Sequence, residues 1–365
     1  MPANILIQTA FLGDLLLSIP LMKKMKELWP DQLLILVCRK GVGDFFAKTH
    51  MVDEVLEVKK GDSESYRHVL ERLKELKIDK LISPHESMRT SFFVQKIKAN
   101  KKISFTKPWN RFFYNERIVK NYALPDPIRQ LSLLQGMDVS LKAQIEKYSE
   151  EAKPYAVAKS GRLAAPPEWS SMSLVDYYKS QGSEISKVLV KVHLNPTLLK
   201  KSIALFPGSV WATKRWTEEG FVQVGQILSA QGTPVLIMGG PGEEELCARI
   251  AEKIPGASNL CSKTSIYESA LLLSQVAAVI GNDSASMHLA ATSETPSVVI
   301  FGPTILKFGF RPWQKHIYVV EKSEMKCRPC GKHGHNKCPI KTHACMKQIS
   351  QDEVLEKLQG VLHET

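Results

Sequence analysis

The feature that most constrains this chain is a rhythm: short apolar runs alternate with stretches of helical spacing, twice over, with an irregular segment between the two series. Runs at 4–8, 33–38, 54–58 and 81–83 have the length and apolar density of buried strands. Stretches at 15–28, 43–48, 65–77 and 89–98 carry apolar residues at helical spacing. The alternation resumes with strands expected at 202–206, 234–239, 277–281 and 297–301, and helices at 217–231, 243–253, 265–274 and 284–292. Strand, helix and strand repeated in this way build a mostly parallel sheet with helices on both faces. The expected fold class is therefore α/β, as two doubly wound halves. Ligands of such sheets sit at the carboxyl ends of the strands, and a two-lobed version is expected to place its site in the cleft between lobes.

At 365 residues the chain exceeds what one core organises, which fits two halves. The expected domains are 1–180, with an irregular connection from about 139, then 201–350, then a C-terminal helix at 351–365. The connection contains KSGRLAAPPEWSS and no defensible strand. A hydrophobic content of 44% with 24% charged residues excludes disordered and fibrous classes. The run ILIQTAFLGDLLLSIPLMKK is interrupted by Asp14 and its lysines follow the apolar part, so it is expected to be folded protein and not a signal peptide. No window approaches the roughly twenty apolar residues of a membrane-spanning helix.

The net charge of +12 favours an anionic partner: nucleic acid, a phosphorylated small molecule or an anionic membrane face. The excess concentrates between Arg89 and Lys120, where nine Lys/Arg face a single acidic residue, Glu116. A solvated basic face accounts for such a run equally well.

Several strand ends carry chemistry. In GNDSASMHLAA, Asp283 or Ser284 is expected to cap a helix whose first-turn N–H groups make an anion site, with His288 one turn on as a donor to phosphate. A capped structural helix with a buried histidine reads the same residues without a ligand. The turn PGSVWATKRW adds Ser209 and the point charge of Lys214, and two such turns suit a diphosphate. In MGGPGEEE the glycines permit close approach of a ligand and Glu243 is expected to accept from a ribose. FLGD combines Gly13, a tight turn after the first strand, with Asp14, either an N-cap or a carboxylate that takes the proton of an attacking hydroxyl. Four cysteines, Cys327, Cys330, Cys338 and Cys345, crowd one segment with interleaved histidines. Either they hold a structural zinc or they are reduced thiols.

ILIQTAFLGDLLLSIP, FPGS with TKRW, NDSASMHLAA and FGPT, in this order and at these separations, closely resemble the ADP-heptose:lipopolysaccharide heptosyltransferases of glycosyltransferase family 9, nearest the heptosyltransferase II type. The resemblance covers about residues 1–138 and 202–362. It implies a GT-B fold of two Rossmann-like domains facing across a cleft, and an inverting transfer of L-glycero-D-manno-heptose from ADP-heptose to the anionic lipopolysaccharide inner core. No cofactor is required for that catalysis. Carried onto this sequence, Asp14 matches the general base and Ser209 and Lys214 match donor-phosphate contacts. Asp283 matches a contact to the donor sugar, and Ser284 and His288 match further donor contacts. Ala285 and Ser286 stand where the family usually has glycine followed by proline or leucine, a departure that bears on donor preference. Gly13, His85, Arg89 and Lys98 are the expected acceptor-side residues, and the basic segment then suits an anionic acceptor and the inner leaflet. The implied protein is cytoplasmic, peripheral to the inner membrane, monomeric and without a nucleic-acid partner. The alternatives are a GT-B transferase of another nucleotide sugar and a zinc-containing nucleic-acid-binding protein.

Overall fold

The structure is a computed structural model and describes residues 2–363. All eight expected strands form, and four more join them. They make two six-stranded parallel sheets, one in each of two compact units.

The first unit holds the residues up to Ala152 together with Pro167–Ser171. Its strands are β1 (Ala3–Gln8), β2 (Leu33–Arg39), β3 (Glu54–Val58), β4 (Ile78–Ser83), β5 (Lys101–Phe105) and β6 (Glu116–Ile118), in the order β3-β2-β1-β4-β5-β6. β1 is central and buried along its whole length, with Ile5 opposite Ile35 and Leu81. On one face of the sheet, Ile5, Ile7 and Val37 pack against Val69, Leu73, Phe93 and Val94 of two covering helices. The single helix expected at 15–28 is two, Leu12–Leu16 and Ile19–Leu28. Pro20 has no N–H to donate, so it is tolerated in the first turn of the second helix and not in the interior of a longer one.

The second unit is Lys153–Pro166 with everything from Met172 onward. Its strands are β7 (Ile203–Phe206), β8 (Val235–Ile237), β9 (Ser258–Asn259), β10 (Ala278–Asn282), β11 (Ser297–Phe301) and β12 (Ile317–Glu321), ordered β12-β11-β10-β7-β8-β9. Read from the opposite edge, this is the same winding as the first sheet.

The boundary expected at 180 is corrected. Residues 172–180 belong to the second unit, because Tyr178 Oη bonds Thr292 Oγ1 at 2.7 Å and Leu174 N donates to Thr292 O at 2.6 Å. The fully buried Arg311 secures 153–166 to the same unit by donating to the carbonyls of Pro154 at 2.6 Å and Ala164 at 2.5 Å. The C-terminal helix, Gln351–His363, is no separate domain either: Val354, Leu358 and Val361 belong to the core beneath β10, β11 and β12. Residues 364 and 365 of that expected helix lie outside the described residues.

The stretch 139–200 has no strand among the described residues, as expected, but it is far from irregular. Val139–Glu151 is a helix capped by Asp138, whose carboxylate accepts from Leu141 N at 3.0 Å, and Gly182–Lys191 is another. A capping aspartate followed by Leu141 and Ile145 on one face was the available signal.

Candidate functional site

In both sheets the winding direction reverses between the first and fourth strands, β1 beside β4 and β7 beside β10. The crevice outside the carboxyl ends at such a reversal is where doubly wound sheets take ligands. The candidate residues fall at these two places.

In the first unit Thr9 leaves β1, and His85 and Glu86 leave β4. Thr9 Oγ1 bonds His85 Nδ1 at 2.8 Å, and that nitrogen lies 3.0 Å from Thr90 Oγ1. Burial lowers the His85 pKa, so the ring is neutral near pH 7. Glu86 is held by Lys107 at 3.2 Å and Lys120 at 2.7 Å.

Asp14 is the third residue of helix Leu12–Leu16. Phe11 is the N-cap and no side chain caps this end, so neither the tight turn expected at Gly13 nor the N-cap role expected of Asp14 occurs. The Asp14 carbonyl accepts from Ser18 Oγ at 3.1 Å and Gln130 Nε2 at 3.4 Å, and Gln130 Nε2 also donates to Asp126 at 2.7 Å. Burial, and after it the negative charge of Asp126, push the Asp14 carboxyl up from 3.8 to about 6, while Lys120 opposes them. A carboxylate held there is mostly ionised at neutral pH and basic enough to take a proton. Sequence reasoning missed Asp126 and Gln130, which lie with Arg129 in the short helix Asp126–Leu131 and are marked by nothing local as buried.

One acceptor-side expectation is not met at this edge. Lys98 precedes β5, where Asn100 N bonds Ile78 O at 3.3 Å, and in a parallel sheet that is the amino edge, opposite Asp14. Arg89 stands in the first turn of helix Met88–Gln95, beside the Thr90 that bonds His85, and lines a groove between two helices.

In the second unit four turns leave the carboxyl edge: 207–216 after β7, 238–243 after β8, 283–284 after β10 and 302–304 after β11. Asp283 is the meeting point of three of them. Its carboxylate pairs with Lys214 Nζ at 2.5 Å and accepts from Thr304 Oγ1 at 2.7 Å, and Lys214 also reaches the Asp283 carbonyl at 3.2 Å. Asn282, fully buried, accepts from Trp216 N at 2.8 Å and donates to Pro207 O at 2.9 Å, so one side chain sets both ends of the 207–216 turn. The Glu243 carboxylate accepts from Gly240 N at 3.0 Å and lies against Gly208, where a Cβ would overlap it. Ser209 is buried, with its carbonyl accepting from Arg215 Nε at 2.8 Å.

The helix Ala285–Thr292 begins at Ser284, yet no side chain caps it. Asp283 is engaged with Lys214 and Thr304, and Ser284 Oγ bonds Ser286 Oγ at 2.7 Å. That corrects the expected cap and leaves the first-turn N–H groups without a side-chain partner, the state in which a helix amino end receives an anion. Ala285 is half-buried within that first turn. His288 is 4% exposed, burial lowers its pKa to about 4, and its Nδ1 has no hydrogen-bond partner, so the contact expected of it would come from a neutral ring.

Among the described residues no three His, Cys, Asp or Glu side chains are grouped to hold a metal, and Cys327, Cys330, Cys338 and Cys345 are in no disulfide. Cys330 Sγ is turned to the Cys327 carbonyl at 3.0 Å, and Cys345 is part of the apolar core. This segment instead straps the 207–216 turn: His343 Nε2 lies 2.9 Å from Thr213 O, His335 N donates to Thr213 Oγ1 at 2.8 Å, and His333 stacks on Trp211.

Against known proteins, the chain is 36% identical to lipooligosaccharide heptosyltransferase 2 of Campylobacter jejuni over 178 residues, which are 46% of this chain and 54% of that protein. It thus spans about half the length of that curated relative. A match to lipopolysaccharide heptosyltransferase 3 of Escherichia coli K12 is weaker but longer, 23% identical over 84% of this chain and 83% of that protein. Among solved structures, E. coli ADP-heptose lps heptosyltransferase II superposes with a TM-score of 0.74 over 99% of both chains at 18% identity, which carries the fold, two doubly wound sheets of the GT-B type. Since the profile of glycosyltransferase family 9 (heptosyltransferase) matches residues 66–340, three quarters of the sequence, the chain belongs to that family.

Proposed function

We propose that the protein transfers a heptose from ADP-heptose to the inner core of lipopolysaccharide, with inversion at the anomeric carbon. The observation that carries this reading is the gathering of three turns on Asp283 at the winding reversal of the second sheet, beside an uncapped helix amino end. An ammonium and first-turn N–H groups without a side-chain partner suit a diphosphate leaving group, and the Asp283 carboxylate can accept from sugar hydroxyls. The acceptor oxygen attacks the anomeric carbon, the bond from that carbon to the β-phosphate oxygen breaks, and ADP departs with the electron pair. The hydroxyl proton passes to Asp14, whose raised pKa suits a base. Because the donor is a charged nucleotide sugar and the acceptor is lipid-linked, the reading has the enzyme act at the cytoplasmic side of the inner membrane; it requires no cofactor and no second copy.

One observation favours a second reading of the donor. Ala285 and Ser286 put Cβ groups, and a Ser284–Ser286 hydrogen bond, in the turn that would meet the phosphate, so another nucleotide sugar is the competing donor. The deciding experiment offers ADP-heptose, ADP-glucose and UDP-N-acetylglucosamine separately, with a heptose-deficient core lipid, and follows nucleotide release and lipid mass. Heptosylated lipid from ADP-heptose alone is the expected result. Equal or greater transfer from either other donor overturns the assignment.

A further inference from the structure

We infer that the groove between helices Ser63–Lys74 and Met88–Gln95 of the first unit is a membrane-docking surface for an anionic lipid bilayer. The groove encloses about 490 Å³. Its floor is apolar, with Tyr66, Leu70 and Phe93 continuous with the core of the unit. Its walls are basic: Arg67 and Lys74 stand on one helix, Arg89 and Lys96 on or just past the other, against Asp62 and Glu71. Asp62 is spent capping its own helix, accepting from Glu64 N at 3.0 Å, and Glu71 lies beside Arg67 at 3.8 Å. Among the described residues no carboxylate pairs with Lys74, Arg89 or Lys96.

The surface beside this groove is apolar where a solvated basic face would be polar. Phe92, which lines the groove, is 53% exposed, Met88 stands one turn before it on the same helix, and Phe112, the chain neighbour of the Phe113 that Phe92 packs against, is 75% exposed. These rings are held in place: Phe92 packs edge-on against Phe113 at 5.2 Å, and the Arg111 guanidinium lies 4.5 Å from the Phe112 ring. Exposed aromatic rings ringed by cations match an interface of acyl chains beneath anionic headgroups, the rings entering the headgroup region and the cations pairing with phosphate. A nucleic-acid duplex would use the charge but leaves the exposed phenylalanines nothing to enter, because its bases are already stacked on one another. The inference rests on the proposed function only in what the surface is for, namely keeping the enzyme where a lipid-linked acceptor lies.

The test is sedimentation of the full chain with vesicles of phosphatidylglycerol and phosphatidylethanolamine, and with vesicles of phosphatidylcholine alone. Binding to the first and not the second is expected, weakening with salt. The pairs Phe92→Ser with Phe112→Ser, and Lys74→Glu with Lys96→Glu, should each weaken it by about tenfold or more. All four side chains are solvent-exposed, and circular dichroism with thermal melting checks that the variants fold. Heptose transfer to a water-soluble core oligosaccharide should be unchanged in the phenylalanine pair, which separates a failed docking surface from a failed assignment of the reaction. Equal sedimentation of wild type and the phenylalanine pair overturns the inference. So does preferential retention on RNA with no vesicle binding.

Discussion

Replacing Asp14 by Asn tests the base and the reason it is a base together. Holding this carboxyl at about 6, against an ordinary 3.8, makes its ionisation cost the folded chain about 3 kcal/mol. The folded state binds the proton more tightly than the unfolded state. The stabilisation by that proton is therefore complete below the unfolded value, and it is lost as pH rises from there through about 6. Asn carries no such cost. At pH 7.5 the variant should be more stable by up to about 3 kcal/mol, a melting point higher by several degrees, with no gain near pH 3.5. Turnover should fall by about a hundredfold or more while donor affinity stays within about twofold. In wild type, a base with its midpoint near 6 is about nine-tenths ionised at pH 7 and about one-tenth at pH 5, so kcat/KM should drop about tenfold between them. Removing the second contributor by Asp126→Asn should move that limb to lower pH. Retained turnover in Asp14→Asn, or a flat profile from pH 5 to 7, would refute the assignment. A dead variant with no gain in stability at pH 7.5 would refute the account of its burial.

Three further outcomes follow from the second unit. Lys214→Met leaves the Asp283 carboxylate, 7% exposed, without its cation, and should raise the donor KM about tenfold or more while lowering stability by about 1–3 kcal/mol, measured by donor titration and denaturant melts. His288 charges in the unfolded chain near its ordinary 6.5 but only near 4 when folded, so it removes stability as pH falls through that window; His288→Gln should flatten the loss of melting temperature between pH 6.5 and 4. Arg311→Met leaves the carbonyls of Pro154 and Ala164 without their donor and should cost about 3–5 kcal/mol in urea unfolding, with the 153–166 segment becoming the first site of limited proteolysis.

The sheet rhythm was legible because apolar density along one short segment needs no partner to be read. The eight expected strands are runs of that kind, and each forms within a few residues of its expected ends. The strands that escaped are of two sorts. β5 opens on Lys101 and Lys102, and β6 and β9 have three and two residues, too few to show a period. β12, with Ile317 to Val320 buried, is a short apolar run of the same kind as the eight and carries the same signal.

The site was legible in its chemistry and not in its wiring, for a physical reason. Ser209, Lys214, Asp283 and Asp14 follow apolar strands with residue types that bind anions or move protons, so the strand ends alone nominate them. What holds them is buried hydrogen bonding between positions far apart in sequence: Asn282 to Pro207, Thr304 to Asp283, His343 to Thr213. Asparagine, threonine and histidine are ordinary at such places, and nothing local distinguishes a locking side chain from a solvated one. Burial decides it, since a polar group out of water must find a partner and so fixes whatever it finds. The same logic bears on His288. A histidine one turn into an anion-binding helix is a donor by spacing, and its burial adds what spacing does not show: the ring is held neutral, so any bond it gives is uncharged and its burial is felt in acid stability.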